Sequence, residues 1–299
     1  MLIESSQTVV GLGELLWDLL PGGKQLGGAP ANFAYWSTVL GDGGVVASRI
    51  GADEPGREAM ECLARVGVGA SHVQIDRLHP TGTVRVEVGE SGQPDFTIEQ
   101  SVAWDFIAWT SDWRELAAGA AAVCFGSLAQ RSPGSRKTIH RFVDAAPAGA
   151  LIVFDVNLRE SFHSAEVLGQ SMKRSRVVKF NSDEFPAVIS ELGLNYDGEL
   201  DSARRLISEF DLEMICVTRA ERGSVLVTAA DSFEHPGFKV DVVDTVGSGD
   251  AFTAALVHHY LKGASLEAMS EAGNLLGSWV ASREGGMPAI DRSVLAKIV

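Results

Sequence analysis

Residues 244–250 read Asp-Thr-Val-Gly-Ser-Gly-Asp and run directly into Ala-Phe-Thr-Ala-Ala-Leu at 251–256. The Ala- and Leu-rich part predicts a helix over 248–261 that begins at the two glycines. A helix start presents unpaired N–H groups and the positive end of the helix dipole, which together favour anions. Asp250, in the first turn, could take a proton from a hydroxyl that attacks such an anion. The alternative is a Gly-rich turn with a capping aspartate, and this stretch alone leaves both interpretations open.

Composition limits the class of protein. The chain has 299 residues, 45% of them hydrophobic and 21% charged, which is enough for one α/β domain with a large core. The net charge of -14 argues against nucleic acid or an anionic membrane as a partner. No segment is long and apolar enough to span a membrane, and Cys62, Cys124 and Cys216 lack metal-ligand spacing. We therefore expect a reduced, cytoplasmic protein.

An alternation of apolar strands and helical patterns extends over most of the chain. Such alternation predicts a mostly parallel sheet covered by helices on both faces. Strands are predicted at 8–12, 45–50, 121–125, 151–155, 177–181 and 214–218, with an antiparallel hairpin at 224–228 and 232–235. Helices are predicted at 30–40, 55–66, 132–145, 165–174, 183–192, 201–210, 248–261 and 266–281. In such folds, ligands bind beside the carboxyl ends of the strands.

A hairpin with one polar face interrupts this alternation. Residues 83–88 alternate polar and apolar side chains, and a turn at 90–93 leads to a second strand at 96–99. Together with extended residues 15–20, the hairpin is predicted to form a small β lid at approximately 14–26 and 82–102, within a single domain of residues 1–299. Its apolar face would be covered by a ligand, by the lid of a second subunit in a homodimer, or by both.

Polar residues follow three of the predicted strands. They are Asp155, Asn157 and Arg159 after the first, Asn181 and Glu184 after the second, and Thr218 and Gly223 after the third. Arg159 can bind phosphate oxygens in a fork, or form a surface ion pair. Asn181 and Glu184 offer oxygen ligands for Mg²⁺, directly or through water, or cap the next helix. Three such clusters at one edge, with the turn at 244–250, favour a binding site.

Several common nucleotide-binding and hydrolase motifs are absent from the sequence. There is no Gly-x-x-x-x-Gly-Lys-Ser/Thr loop, and no strand is followed by Gly-x-Gly-x-x-Gly. No Gly-x-Ser-x-Gly elbow occurs either. A second Gly-rich start of a helix does occur, Gly-Gly-Ala-Pro-Ala-Asn at 27–32, with Pro30 in the first turn.

These motifs together resemble the ribokinase-like (PfkB-type) carbohydrate kinases. Residues 244–250 are similar to the family's C-terminal signature, Asp-Thr-x-Gly-Ala-Gly-Asp, and residues 27–32 to its N-terminal signature, Gly-Gly-x-x-x-Asn. The strand-end residues match in the same order, so the resemblance runs from about Gly11 to Gly286. It implies an α/β three-layer sandwich with a mostly parallel central sheet and a β lid over a sugar. It also implies ATP-dependent phosphorylation of a sugar hydroxyl.

The resemblance assigns roles to individual residues. Asp250 would be the catalytic base, with the N–H groups of Gly247, Ser248 and Gly249 as the anion hole, while Arg159 faces sugar or phosphate. The residues implied for the sugar are Glu14, Asp18, Gly27, Gly28, Asn32 and Asn157. Those implied for ATP are Asn181, Thr218, Gly223, Gly247, Gly249 and Asn274. Asn181 and Glu184 would organise Mg²⁺, mostly through water, and Asp244 with Thr245 could line a site for a monovalent cation such as K⁺.

Two departures from the general family pattern refine the prediction. Ser248 stands where alanine is usual, and we expect its N–H to stay available. The sequence Gly-Glu-x-x-x-Asp, with Glu14 and Asp18, stands in place of the ribokinase-type Asn-x-Asp and is more similar to fructokinases and related hexose or keto-sugar acid kinases. Residues 103–105, Ala-Trp-Asp, are also similar to fructokinase-like members. The prediction is therefore a kinase that uses ATP and Mg²⁺ to phosphorylate fructose. Alternatives are a 2-keto-3-deoxygluconate or nucleoside kinase of the same family, or a catalytically silent sugar-binding regulatory protein.

Overall fold

Short, largely apolar strands build two separate sheets. The computed structural model describes residues 7–20, 22–88 and 94–299. Its strands are β1 (Thr8–Leu12), β2 (Leu16–Leu20), β3 (Gly23–Gly27), β4 (Gly43–Gly51), β5 (Val73–Asp76), β6 (Gly82–Val88), β7 (Pro94–Ile98), β8 (Ala122–Phe125), β9 (Leu151–Asp155), β10 (Val177–Asn181), β11 (Met214–Thr218), β12 (Ser224–Val227) and β13 (Ser232–His235). Within these described residues, nine strands form a central sheet in the order β13-β12-β11-β10-β9-β8-β1-β4-β5. In that sheet, β12 pairs antiparallel with both β11 and β13, and the other pairs of described strands are parallel.

Helices cover both faces of the central sheet because its strands are apolar on both sides. The helices are α1 (Ala29–Val39), α2 (Glu54–Arg65), α3 (Ser111–Gly119), α4 (Pro133–Ala145), α5 (Ala165–Met172), α6 (Glu184–Glu191), α7 (Glu199–Phe210), α8 (Ser248–Leu261), α9 (Leu266–Ala281) and α10 (Arg292–Leu295). Helices α3 to α7 contribute to one core cluster, and α1, α2, α8 and α9 to the other. Successive strand residues enter opposite clusters, as Val9 and Val10 do. The predicted three-layer α/β architecture is confirmed.

Nearly all predicted elements are present, with ends that differ by about two residues or fewer, the usual uncertainty of element boundaries. The sequence reasoning missed β3, β5, α3 and α10. In β5 only Val73 and Asp76 are buried, so the strand has no apolar run. Helix α3 begins with Ser111-Asp112 and is recognisable mainly by its cap, since Thr110 accepts a hydrogen bond from the N–H of Trp113. Across the described residues, no helix is long and apolar enough to cross a membrane.

The small sheet has the strand order β3-β2-β6-β7. Strands β2 and β6 pair parallel, whereas β2–β3 and β6–β7 pair antiparallel. Val84, from the predicted apolar face, is buried, while the predicted turn at 90–93 lies outside the described residues. The strands predicted for the lid are thus confirmed, and the covering of a sugar by this sheet stays a prediction.

A buried arginine anchors the base of the small sheet. Arg131, whose side chain is 6% exposed, pairs with both carboxylate oxygens of Asp105 and donates to the carbonyl of Glu99, the residue that follows β7. Its guanidinium also lies 3.9 Å from the ring centre of Trp104. Charge, hydrogen bonds and stacking therefore join the small sheet to the central body at one point.

The topology brings the predicted strand ends to one edge. Strands β9, β10 and β11 are direct parallel neighbours, with Lys179 opposite Asp155 and Asn181 opposite Thr218. Strand β1 pairs parallel with β8, and β8 pairs parallel with β9. The residues that follow β1 therefore lie at the same edge of the sheet as those that follow β9, β10 and β11. Helices α1 and α8 pack against each other, which brings their N-terminal turns together. The polar residues identified in sequence therefore converge.

Candidate active site

The start of α8 leaves three backbone donors unpaired. Gly247 is the cap residue in left-handed backbone, with φ +75°. Within the part of the chain that the structure describes, no acceptor is found for the N–H groups of Gly247, Gly249 and Asp250. The expectation for Ser248 is wrong, because its N–H donates to the carbonyl of Thr245 at 3.2 Å and its hydroxyl donates to the same oxygen at 2.8 Å. The unpaired N–H groups therefore lie on either side of Ser248, and anion binding by this turn stays a prediction.

This turn is held by a close packing of glycines. A Cβ on Gly247 would lie 2.4 Å from the Cα of Gly286, and a Cβ on Gly286 would lie 2.6 Å from the Oδ1 of Asn32. The carbonyl of Gly286 accepts a hydrogen bond from the indole of Trp36 at 2.9 Å. Since Asn32 and Trp36 both belong to α1, that helix supports the start of α8 through residue 286.

Asp244 ties the same turn to the loop that follows α9. Its Oδ1 accepts from the N–H of Val246 and its Oδ2 from the N–H of Gly285, both at 3.0 Å. The first aspartate of the signature therefore has a structural function that its sequence position did not reveal. Whether Asp244 and Thr245 also line a cation site stays a prediction.

Asp250 is positioned by an amide from α1. The Nδ2 of Asn32 donates to Oδ2 of Asp250 at 2.8 Å. Burial, together with the Asp155 carboxylate, raises the pKa of Asp250 to about 6, while the Asn32 hydrogen bond and the cations of Lys179 and Arg159 oppose this rise. A pKa near 6 leaves the carboxylate ionised at neutral pH and still basic enough to take a proton.

Two further carboxylates lie in the same electrostatic environment. Glu14 is 2% exposed, its Oε2 has no partner among the described residues, and burial raises its pKa to about 7. Burial likewise raises the pKa of Asp18 to about 6, opposed by Arg159. The Oδ1 of Asn32 is a second buried acceptor without a partner in the described chain. Buried acceptors of this kind suit a ligand that carries several hydroxyl groups.

The glycine pair at 27–28 makes room for the Asp18 carboxylate and for the backbone of Glu14. A Cβ on Gly27 would lie 2.2 Å from Oδ2 of Asp18, and a Cβ on Gly28 would lie 2.5 Å from the carbonyl of Glu14. Gly28 also has φ +103°, which other residues rarely adopt. The glycines therefore let the start of α1 approach the chain between β1 and β2.

A buried polar cluster beneath α8 was missed by the sequence reasoning. The ammonium of Lys179 contacts both carboxylate oxygens of Asp155 at 3.0 Å, and the hydroxyl of Thr253 donates to Asp155 at 2.7 Å. The available signal was a lysine inside Val-Val-Lys-Phe-Asn, an otherwise apolar strand. A charged residue is almost never fully buried without a partner, so this lysine could have been singled out.

Asn181 and Glu184 form a local hydrogen-bonded turn. Oδ1 of Asn181 accepts from the N–H groups of Asp183 and Glu184, and the Glu184 carboxylate accepts from the N–H groups of Asn181 and Leu158. Asn181 therefore satisfies N–H groups at the start of α6, although the N-cap residue itself is Asp183, whose side chain makes no capping hydrogen bond. Within the described residues, no group of three or more His, Cys, Asp or Glu side chains could hold a metal ion. The arrangement fits an ion bound mainly by a ligand and water better than an ion enclosed by protein.

The remaining predicted residues differ in how closely they relate to this site. Arg159 is exposed, but its positive charge is near enough to lower the pKa of Glu14, Asp18 and Asp250. Asn157, partly buried between Asp155 and Arg159, has φ +45°.

Three residues predicted to contact the nucleotide also have structural contacts. Thr218 donates to the carbonyl of Phe180. A Cβ on Gly223 would lie 1.9 Å from the carbonyl of His235, so the hairpin requires glycine there. Asn274 is buried and donates to Ser224. Nucleotide contact by these three residues stays a prediction.

Comparison with known proteins identifies the family. Residues 21–292 match the pfkB family of carbohydrate kinases. The Escherichia coli fructokinase is 30% identical over 260 residues, which cover 82% of each chain. An uncharacterized sugar kinase from Pyrococcus horikoshii, solved in complex with ATP, is 26% identical with a TM-score of 0.79, covering 98% of this chain and 99% of its own. A double mutant of the Vibrio cholerae O395 fructokinase, solved with fructose, ADP and a potassium ion, is 23% identical with a TM-score of 0.83 and 98% coverage of both chains.

The chain therefore belongs to the pfkB family of carbohydrate kinases. It is a sugar kinase with the central sheet and the small second sheet of that fold.

The glycine packing at the start of α8 can be tested by substitution. We expect Gly247→Ala to lower the free energy of unfolding by about 1–2 kcal/mol for the left-handed backbone and by about 1–3 kcal/mol more for the collision with Gly286. Gly263→Ala is the matched control, because Gly263 has φ +70° at the other end of α8 and open space around its Cβ position. Urea unfolding of both variants gives the comparison. Equal losses of unfolding free energy in the two variants would show that packing against residue 286 does not contribute to stability.

Proposed function

We propose that this protein is an ATP-dependent kinase that phosphorylates fructose. The proposal depends above all on one observation: the Asp250 carboxylate, oriented by Asn32, lies in the first turn of α8 beside unpaired N–H groups. A base next to an anion site is the arrangement that phosphoryl transfer to a hydroxyl requires. The Gly-Glu-x-x-x-Asp sequence at Glu14 and Asp18, and the similarity to the E. coli fructokinase, support fructose as the acceptor.

Asp250 accepts the proton of the attacking sugar hydroxyl in the proposed reaction. The hydroxyl oxygen then forms its new bond to phosphorus, and the bond to the departing nucleotide oxygen breaks. The N–H groups of Gly247 and Gly249 donate to the oxygens of the transferring group, where negative charge is concentrated. Arg159 adds positive potential from the loop after β9. Because these donors are fixed by packing, they need no reorganisation during the reaction.

ATP would supply the phosphoryl group and Mg²⁺ would neutralise charge on its phosphates. Asn181 and Glu184 would contact the hydrated ion, and Thr218, Gly223 and Asn274 would lie near the nucleotide. A potassium ion at Asp244 and Thr245 is proposed by analogy with the V. cholerae fructokinase structure, which contains one. We further propose a cytoplasmic enzyme that forms a homodimer through the small sheet.

The sugar would occupy the space bounded by the residues after β1, the start of α1 and the small sheet. Glu14 and Asp18 would accept hydrogen bonds from its hydroxyl groups, and Asn32 would contact both the sugar and Asp250. The chain at 27–28 would approach the sugar closely because it carries no side chains. With the small sheet above, water would be excluded and would not compete for the phosphoryl group.

A substrate panel tests the proposed function. The protein is mixed with ATP, Mg²⁺ and either fructose, ribose, 2-keto-3-deoxygluconate or adenosine, and ADP release is measured with identification of the phosphorylated product. We expect fructose to give the highest kcat/KM. A higher value for 2-keto-3-deoxygluconate or adenosine would replace fructose by that acceptor, and no turnover with any of them would favour a silent sugar-binding protein.

Replacement of the base should separate binding from chemistry. We expect Asp250→Asn to lower kcat by about 10²- to 10⁴-fold, the usual contribution of a positioned base. The dissociation constants for ADP and fructose, measured by calorimetry, should change little. Asp112→Asn is the control, since Asp112 is an exposed aspartate in the first turn of α3. Near-normal kcat in Asp250→Asn would disprove the role of this carboxylate.

The pH dependence of the reaction should reflect the surroundings of Asp250. Its pKa is about 6, so kcat/KM should fall as the pH drops through 6. The Asn32 hydrogen bond lowers this pKa, so Asn32→Ala should move the acid limb to higher pH. Other charged groups also influence the pH at which the rate falls, but they are unchanged in the variant. They are Glu14, Asp155, Lys179 and Arg159.

Asn195→Ala, at an exposed position, is the control for this pH experiment. An acid limb that stays in place in Asn32→Ala would mean that another group is titrating.

A further inference from the structure

Lys179 is a charged residue in the middle of an otherwise apolar strand. Its β10 neighbours Val177, Val178 and Phe180 are fully buried, and Lys179 itself is only 6% exposed. Transfer of an ammonium group out of water costs several kcal/mol even after relaxation. An apolar side chain at this position would avoid that cost, so the lysine requires an explanation other than packing.

The contacts of Lys179 join two strands to the first turns of α8. Its Nζ lies 3.0 Å from each carboxylate oxygen of Asp155, the residue opposite it on β9. Thr253, one turn into α8, donates its hydroxyl to Asp155 at 2.7 Å and also lies 2.9 Å from the carbonyl of Gly249. The ammonium is therefore held in one place.

The ammonium of Lys179 lies against the underside of the anion-binding turn. A Cβ on Gly249 would be only 3.0 Å from Nζ, so the absence of a side chain at 249 permits this approach. The carboxylates that face Lys179 are Asp155 on β9, Glu184 on α6 and Asp250 on α8. Burial lowers the pKa of Lys179, but these carboxylates raise it above its ordinary value, so the group stays charged.

Two explanations of the ion pair are distinguishable. In the first, Lys179 only neutralises Asp155, and both could be replaced together without effect on catalysis. In the second, the pair holds a positive charge where the transferring group arrives, because Asp155 fixes the ammonium in place beneath Gly249. Replacement of buried ion pairs by neutral residues is often harmless to stability, so a test that removes both charges is practicable.

We propose that Lys179 is a positioning residue for phosphoryl transfer, whose ammonium, fixed by Asp155, places a positive charge beneath the turn at 247–250. This inference depends on the proposed kinase function. In the proposed site, the fixed cation of Lys179 acts together with the N–H groups of Gly247 and Gly249, which would donate to the phosphoryl oxygens. The charge acts mainly when negative charge builds up in the transition state, so its loss should affect kcat more than ground-state binding.

The test uses the double variant Lys179→Met with Asp155→Asn, which leaves no unpaired buried ion. Lys262→Met is the control, because Lys262 is an exposed lysine at the C-terminal end of the same helix. Urea unfolding, calorimetric binding of ADP and of fructose, and kcat are measured for both variants and for the unaltered protein. We expect the double variant to fold and to bind both ligands normally, with kcat lower by about 10²-fold, the scale of one lost oxyanion contact.

Three results would overturn this role for Lys179. They are a kcat in the double variant within threefold of the unaltered protein, a loss of ADP binding as large as the loss of kcat, and a failure of the double variant to fold. The last would make the pair part of the stability of the fold. Absence of sugar phosphorylation by the unaltered protein would instead disprove the proposed function, so the two failures are separable.

Discussion

The contact between Gly247 and Gly286 is the constraint on which the arrangement of the site depends. The start of α8 can point its N–H groups outward only because its backbone rests directly on residue 286, with no side chain on either residue. Residue 286 is in turn held by α1, through Trp36 and Asn32. Since Asn32 also orients Asp250, one small region of packing positions both the proposed anion site and the proposed base.

The same region contains both carboxylates and sources of positive potential. The protein is acidic overall, and Glu14, Asp18 and Asp250 lie in the same region of it. Burial raises the pKa of each of these three carboxyl groups. An anion could not bind there without local positive potential. That potential comes from the N-terminal end of α8, from Arg159 and from the buried Lys179, so the net charge of the chain says little about the field at the site.

Local patterns carried most of the fold prediction. The apolar strands 151–155, 177–181 and 214–218 were recognisable from composition, and their parallel direction followed from the alternation with helices, whereas the strand order came from the structure. The missed strand β5 has few buried residues and so differs little from a loop in sequence. The missed α3 does bury Trp113, Leu116 and Ala117 at helical spacing, but the helix has only 9 residues, so its periodic signal is short. For the site, the glycines and the polar strand ends were visible, but the contacts between them were not.

Some contacts give a motif residue a structural function that its position in the sequence does not reveal. Ser248 was expected to offer its N–H to the anion, yet the turn at 245–248 uses that donor internally. Asp244 accepts from the N–H of nearby Val246 and from the N–H of distant Gly285, and the Asn274 amide donates to Ser224 within the core. The partners Thr245 and Val246 are near neighbours in sequence, whereas only the fold brings Gly285 to Asp244 and Ser224 to Asn274.

The sequence by itself determined the class of fold, the family, the two Gly-rich helix starts and the identity of Asp250 as the candidate base. These features are local, because helix starts, turns and strand periodicity are set by neighbouring residues. Only the tertiary structure decided that Asn32 orients Asp250, that residue 286 supports Gly247, and that Lys179 pairs with Asp155 beneath α8. These contacts join residues from 24 to 218 positions apart, and folding alone brings them together.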